Sequence, residues 1–175
     1  MRENFFICLA KESDITRIQN IEKQADTRFT PFQDKLSLPQ TICTASSLNA
    51  AIKNNTLWVI QNTEQHSEIC GFLFGTYEGS IFFIEEVSVL PKYGRQGLAT
   101  ALLQTVFRFV INNPTLKSIA LITFKAVPWN QDFYQKLGFQ AINPYNDFLR
   151  KRWGDELQMG FVAEERVLME YIPIT

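Results

Sequence analysis

Apolar positions along this chain change period in a way that separates strands from helices. Residues 5–9 form a short apolar run that predicts a first strand. From residue 15 the period lengthens: Ile15, Ile18, Ile21, Ala25 and Phe29 recur every three or four residues, one apolar stripe along a helix. Ser13 is placed to cap that helix, and Thr30-Pro31 to end it, because the residue before proline is pushed out of helical conformation. Residues 31–43 carry no period, and Pro39 is a further breaker. Ser46 or Ser47 offers a cap for a second helix running through Ile52. Apolar segments at 57–60, 69–77 and 81–89 follow at short spacing, separated by a turn at 62–67 and by Glu78-Gly79, which predicts an antiparallel meander.

A glycine-bearing loop at 92–97 leads into a strongly amphipathic helix. Leu98, Leu102, Val106 and Phe109 share one face, while Gln96, Thr100, Gln104 and Arg108 are polar, and Asn112-Asn113-Pro114 stops it. Residues 118–124 predict a strand, 130–137 a short helix ended by Gly138, 139–142 a strand, and 166–172 the last one. Residues 143–165 receive no element. The order β-α-α-β-β-β-α-β-α-β-β needs one crossover in the middle, so two neighbouring strands there run parallel. The expected class is α/β, with a mixed, mostly antiparallel central sheet flanked by helices. No repeat, low-complexity tract or linker divides the chain, so residues 1–175 are expected to form a single domain.

Composition narrows the chemistry. The net charge is −1 over 175 residues, which argues against a general nucleic-acid or anionic-membrane binder, since both need a basic surface. Cys8, Cys43 and Cys70 are widely spaced and His66 is the one histidine, so no metal site is expected. Free thiols suit a reducing compartment. No signal-peptide core and no apolar run of membrane-spanning length is present, so the expectation is a soluble cytoplasmic protein.

The central feature is Glu86-Val87-Ser88-Val89-Leu90-Pro91-Lys92-Tyr93-Gly94-Arg95-Gln96-Gly97-Leu98-Ala99-Thr100. A strand runs into a helix through a turn that carries glycines. First-turn amides of a helix lack internal acceptors and carry partial positive charge, and small residues at Gly97 and Ala99 allow close approach, which together suit a diphosphate. Lys92 and Arg95 are placed to add charge. A plain strand-to-helix loop with glycines for turning has the same local pattern. No Gly-Lys-Ser/Thr follows, and G-x-G-x-x-G is absent, so neither nucleotide fingerprint applies.

These residues resemble the GNAT superfamily of N-acetyltransferases, which carries Gln/Arg-x-x-Gly-x-Gly/Ala at this helix start after a strand of Glu-Val-x-Val type. Gly97 and Ala99 fit; Gly94 departs from the usual Gln or Arg, with Arg95 and Gln96 beside it to replace that contact. The resemblance implies that the backbone amides of Arg95, Gln96, Gly97, Leu98, Ala99 and Thr100 hold the pyrophosphate of coenzyme A. It also implies that Val87, Ser88 and Val89 pair with the pantetheine arm like an added strand. A second stretch, Val127-Pro128-Trp129-Asn130-Gln131-Asp132-Phe133-Tyr134-Gln135-Lys136-Leu137-Gly138-Phe139, looks like the other half of the signature and is similar to bacterial members with a Pro-Trp-Asn-x-x-Phe-Tyr form. Each residue has a structural reading: Asn130 as an N-cap, Gly138 as a helix stop, Tyr134 and Phe139 as core aromatics. Two motifs in the right order, one strand apart, carry the resemblance. It implies the GNAT acyl-CoA N-acyltransferase fold, acetyl-CoA as co-substrate without a metal, and Asn130 among the coenzyme-binding residues.

The chemistry needs a proton acceptor, because an alkyl amine with pKa about 10.4 is mostly ammonium at neutral pH. Glu85 and Glu86 are the candidates. Successive strand residues face opposite sides, and Glu86, directly before Val87-Ser88-Val89, stands where many family members keep this glutamate. The amide of Val87 is placed to stabilise the oxyanion. By resemblance, Tyr134 protonates the leaving thiolate, giving direct transfer in a ternary complex. A cysteine nucleophile is the rival, but Cys8 and Cys70 fall in strands and His66 in a turn.

The acceptor is expected to be an amine of a small molecule or peptide, with no nucleic acid or membrane partner and a monomer or homodimer as the assembly. Residues 28–44 and 143–165 are the parts specific to this chain. Asp26, Asp132, Asp147 and Glu156 can attract a cation, and Arg150-Lys151-Arg152 an acid, unless that run is a solvated helix face. Trp129 and Trp153 either line a pocket or pack in the core. The alternative to an enzyme is a non-catalytic acetyl-CoA binding module.

Overall fold

The computed structural model describes residues 4–32, 43–65, 67–127 and 129–173. Pro39, His66 and Pro128 therefore lie outside the described residues, as does most of the aperiodic 31–43 stretch. The strands are β1 (Phe5–Leu9), β2 (Leu57–Asn62), β3 (Glu68–Glu78), β4 (Ile81–Val89), β5 (Ser118–Phe124), β6 (Gln140–Ala141) and β7 (Arg166–Tyr171). The helices are α1 (Ile15–Asp26), α2 (Ala45–Lys53), α3 (Leu98–Ile111), α4 (Asn130–Lys136) and α5 (Asp147–Gln158). The strands form one seven-stranded sheet in the order β1-β2-β3-β4-β5-β7-β6. Pairs β1–β2, β2–β3, β5–β7 and β6–β7 are antiparallel. The crossover through α3 makes β5 parallel to β4: the Ser80 carbonyl, just ahead of β4, accepts from the amides of Lys117 and Ser118 at the start of β5 (2.7 and 3.3 Å). This is the mixed, mostly antiparallel sheet flanked by helices that the order of elements predicted.

Several expectations need correction. Ser13 does not cap α1; it lies in a 3₁₀ turn, Glu12–Asp14, where the Asp14 carboxylate accepts from the Lys11 amide (2.8 Å). The α-helix stops at Asp26 and gives way to a 3₁₀ turn, Thr27–Phe32, that passes through Pro31. Thr44, not Ser46 or Ser47, caps α2, its hydroxyl accepting from the Ser47 amide (3.1 Å). Asn130 is the first residue of α4, and the cap position belongs to Trp129. The sequence reading left out α5, which Asn146 caps by accepting from the Leu149 amide (2.8 Å).

The backbone clusters into two compact units. The first is Met1–Arg28, Thr41–Thr76 and Ile84–Phe109; the second is Phe29–Gln40, Tyr77–Phe83 and Val110–Thr175. In the first, Ile18, Ile21 and Ala25 of the α1 stripe are buried, as are Leu48 of α2, Val59 of β2, Phe72 of β3 and Leu102 and Val106 of α3. In the second, Ile81, Phe83, Ala120, Leu149 and Leu168 form one cluster and Phe124, Val127 and Phe161 another. A buried ion pair, Arg166–Glu156 (2.7 Å), crosses the second unit, with the guanidinium lying over the Phe124 and Phe161 rings at 4.2 and 4.1 Å. Among the described residues no helix is long and apolar enough to cross a membrane.

Candidate active site

The site is built where β3 and β4 approach closely at Gly71. Opposite β2 the register of β3 shifts between Ile60 and Gln61, leaving Cys70 as an extra residue. Next to it, a β-carbon on Gly71 would stand 2.7 Å from the Ser88 carbonyl oxygen and 2.9 Å from Val89 Cγ2. Only glycine lets the two backbones come so near. The Leu90 amide then donates to the Cys70 carbonyl (2.8 Å), which fixes the end of β4. Along this segment Ser88 is buried while Val87 and Val89 are partly exposed.

Strand alternation separates the two candidate bases. Glu85 accepts from the Thr76 hydroxyl (2.8 Å), and Glu86 from the Ser88 hydroxyl two residues on (2.8 Å). Glu86 also feels the end of α1. Burial pushes its carboxyl up to about 7; the Ser88 hydroxyl opposes that rise, Asp26 and Glu22 add to it by repulsion, and the Arg28 guanidinium lowers it. Asp26 is raised as well, first by burial and then by Glu22. Glu22 is almost fully buried and accepts from the Cys43 amide (3.1 Å). A carboxyl that titrates near neutrality is suited to take a proton from an ammonium group and release it again. The thiols point the other way: burial raises Cys8, Cys43 and Cys70, the reverse of what an attacking thiolate requires.

The loop between β4 and α3 has the shape an anion site needs. A 3₁₀ turn, Pro91–Tyr93, is followed by Gly94 in extended backbone (φ −61°, ψ 157°), then Arg95 at φ 58° and Gly97 at φ 79°. The first helical bond runs from the Ala101 amide to the Gly97 carbonyl (3.0 Å). The amides of Leu98, Ala99 and Thr100 therefore precede any helical acceptor and are available to a ligand. Leu98 buries its side chain, Gln96, Ala99 and Thr100 are partly exposed, and Arg95 is exposed. Lys92, expected to add charge here, is instead bound to Glu68 (2.9 Å).

Arg95 holds a backbone conformation that suits glycine, while Gly94 beside it does not. Left-handed backbone costs an L-residue about 1–2 kcal/mol, of which the extra chain entropy of glycine returns about 0.5–1. Arg95→Gly is therefore expected to raise the melting temperature by about 1–3 °C. A lower melting temperature would show that the arginine side chain contributes more to the fold than its backbone costs.

Asn130 and Tyr134 belong to the second unit. The Asn130 amide donates to the Val127 carbonyl (3.0 Å), and α4 is followed by Leu137 at its cap and Gly138 in left-handed backbone, φ 94°. The half-buried Tyr134 ring meets Phe133 and Phe139 edge-on, with centroids 5.1 and 5.6 Å apart. Of the four acidic residues considered for the acceptor, Asp26 alone acts on Glu86. Asp132 is exposed, Asp147 pairs with Arg150 (2.8 Å) and Glu156 is committed to Arg166. The basic run divides. Arg150 and Lys151 are solvated, whereas Arg152 lies over the Phe83 ring at 4.5 Å. Trp153 packs on the Phe83 cluster, and the exposed Trp129 stacks edge-on against Phe32 (5.3 Å). Glu22 was missed, although its place inside the Ile18–Ile21–Ala25 stripe marks it as a carboxylate turned inward.

A strand leading into helix-start amides that precede any helical acceptor, with a near-neutral carboxyl on the same strand, suits acyl transfer. Residues 53–141 match the acetyltransferase (GNAT) domain, and the chain belongs to that family of acetyltransferases. Family members draw on acetyl-CoA as the acetyl donor. The chain is similar in fold to the ribosomal-protein-S18-alanine N-acetyltransferase of Escherichia coli, at 14% identity and TM-score 0.68 over 98% of this chain and 96% of that one. It is also similar to the PaiA N-acetyltransferase of Thermoplasma acidophilum, solved with coenzyme A, at 11% identity and TM-score 0.70 over 97% and 99%. The N-acetylglutamate synthase of Neisseria gonorrhoeae, complexed with coenzyme A and N-acetyl-glutamate, matches all of this chain over 36% of its own length, at 11% identity and TM-score 0.73. At these identities the likeness is one of fold.

Proposed function

We propose that this acetyltransferase acetylates a primary amine of a small molecule or peptide by direct attack within a ternary complex, with Glu86 as the base. The observation that carries the reading is the Glu86 carboxyl, pushed up to about 7 on the strand that runs into the Gly97 helix start. Glu86 takes a proton from the bound ammonium group. The amide of Val87 donates to the oxyanion that forms when the amine attacks the thioester carbon. Tyr134 gives its phenolic proton to the departing thiolate. The backbone of Val87, Ser88 and Val89 aligns the pantetheine arm, the amides of Arg95, Gln96, Gly97, Leu98, Ala99 and Thr100 take the diphosphate, and Asn130 adds a contact to the coenzyme.

Glu22 and Asp26 surround Glu86 with negative charge, which favours an acceptor that arrives as a cation. Residues 1–175 act as one catalytic domain, as a monomer or homodimer. The protonated thiols of Cys8, Cys43 and Cys70 fit a reducing, cytoplasmic setting. Calorimetry with acetyl-CoA, followed by thiol release across a panel of amines, tests the reading. Saturable binding and release with at least one cationic amine are expected. No heat and no melting-temperature rise at millimolar coenzyme A would remove the donor site, and binding without release for every amine would remove the transfer step.

A further inference from the structure

Glu68, the first residue of β3, takes no part in the chemistry above, yet three side chains from two other parts of the first unit converge on its carboxylate. Oε1 accepts from Arg17 Nη2 of α1 (2.7 Å) and from Lys92 Nζ (3.0 Å). Oε2 accepts from Lys92 Nζ (2.9 Å) and from the Tyr93 hydroxyl (2.8 Å). The Tyr93 phenol also stands 3.0 Å from Gln65 Oε1 and 3.5 Å from Asn62 Nδ2. Its ring is buried and meets Phe5 edge-on at 5.9 Å, with the Lys92 ammonium 5.0 Å from its centroid.

Regular structure fixes Arg17 and Glu68. Lys92 and Tyr93 lie in the short turn that leads straight into the loop of Arg95 and Gly97, both in left-handed backbone. Such a loop keeps its shape only when its surroundings over-determine it. The lysine and arginine of the cluster are too exposed for their ion pairs to add much to global stability. What the cluster supplies is direction: one carboxylate holds the entry to the loop against α1 and β3. The hydrogen bonds from Lys92 and then Tyr93 also hold the Glu68 carboxyl below its usual range.

We infer that Glu68 is a positioning residue for the coenzyme loop, acting through Lys92 and Tyr93 to set the helix-start amides before the ligand arrives. The inference rests on the proposed diphosphate site. A loop that is already ordered spares the ligand the entropy of ordering it, so loss of the anchor appears in binding rather than in chemistry. Two variants test this, Glu68→Gln and Tyr93→Phe, the second keeping the ring packing on Phe5 should the first fold poorly. Each is expected to raise the KM for acetyl-CoA and the Kd for coenzyme A by about 5- to 30-fold, with kcat at saturating donor within about twofold and the acceptor KM unchanged. Because both act on one anchor, the double variant is expected to lose less than the product of the two single losses. Unchanged coenzyme affinity in both variants overturns the inference, as does a fall in kcat with no change in KM. Wild-type protein that binds no coenzyme at all sinks the proposed function instead, so the two failures are distinct.

Discussion

Glu86→Gln is expected to lower kcat/KM by about 10²- to 10⁴-fold, the range that a positioned general base contributes. The amide preserves the shape and the hydrogen bond from Ser88 but cannot take a proton from the ammonium acceptor. Glu85→Gln serves as the control: that side chain lies on the other face of β4, held by Thr76, and only a few-fold change is expected. The pH profile separates the base from a bystander. With the Glu86 carboxyl at about 7, wild-type kcat/KM should climb as pH rises through neutrality, because the carboxylate is the form that accepts the proton. The inflection should vanish in Glu86→Gln.

Stability must move the other way. The folded pKa of Glu86 lies above the ordinary glutamate value, so between about 4.5 and about 7 the native state binds more protons than the unfolded chain. The contribution of this group is fullest below that window, declines across it and is least above it. Glu86→Gln is thus expected to raise the melting temperature at pH 8 and to change it least near pH 4.5. An inactive variant that is also more stable at pH 8 points to lost chemistry rather than a damaged fold. A variant with activity within fivefold of wild type, or one that keeps the inflection near 7, would assign the proton to another group.

What the sequence discloses follows from where the physics is local. β1 is a continuous apolar run and β5 carries one from Ile119 to Ile122, and both match their predicted residues at either end. The loop from Pro91 to Gly97 is legible in part: Gly97, read as a turn residue, stands in left-handed backbone, whereas the same conformation at Arg95 is not announced by residue type. The fate of Lys92 is not legible, since its partner Glu68 lies 24 residues away. The setting of Glu86 is likewise assembled at a distance, from Glu22, Asp26 and Cys43. Helix α5 went unread for a different reason. Its partly covered side includes Arg152, Trp153 and Glu156, so polar letters stand where an apolar stripe was sought. Arg152 covers the Phe83 ring and Glu156 pairs with Arg166, satisfying by stacking and ion pairing what a leucine would satisfy by burial alone. The start of α1 was misplaced because the Lys11 amide and the Asp14 carboxylate close a 3₁₀ turn, a bond that residue type alone does not announce.

Gly97→Val is expected to weaken coenzyme A binding by at least about 30-fold, the combined effect of a strained backbone and an obstructed approach. Gly97 stands at φ 79°, and a β-carbon there meets, among the described residues and apart from its chain neighbours, no atom within 4 Å. The described residues therefore leave room for a side chain at this position. A phosphate oxygen must come within about 2.9 Å of those amides to be held, and two γ-methyl groups would occupy its path. Gly97→Ala separates the two costs. Both variants carry a left-handed penalty of about 1–2 kcal/mol, so both should melt about 2–6 °C lower, while affinity should fall further with valine than with alanine. Acetyl-pantetheine, which lacks the diphosphate, tells which part of the donor is affected: its use should differ little between alanine and valine. If Gly97→Val binds coenzyme A as tightly as the wild type, the start of α3 is not where the diphosphate rests, and the thioester loses the anchor that would hold it beside Glu86.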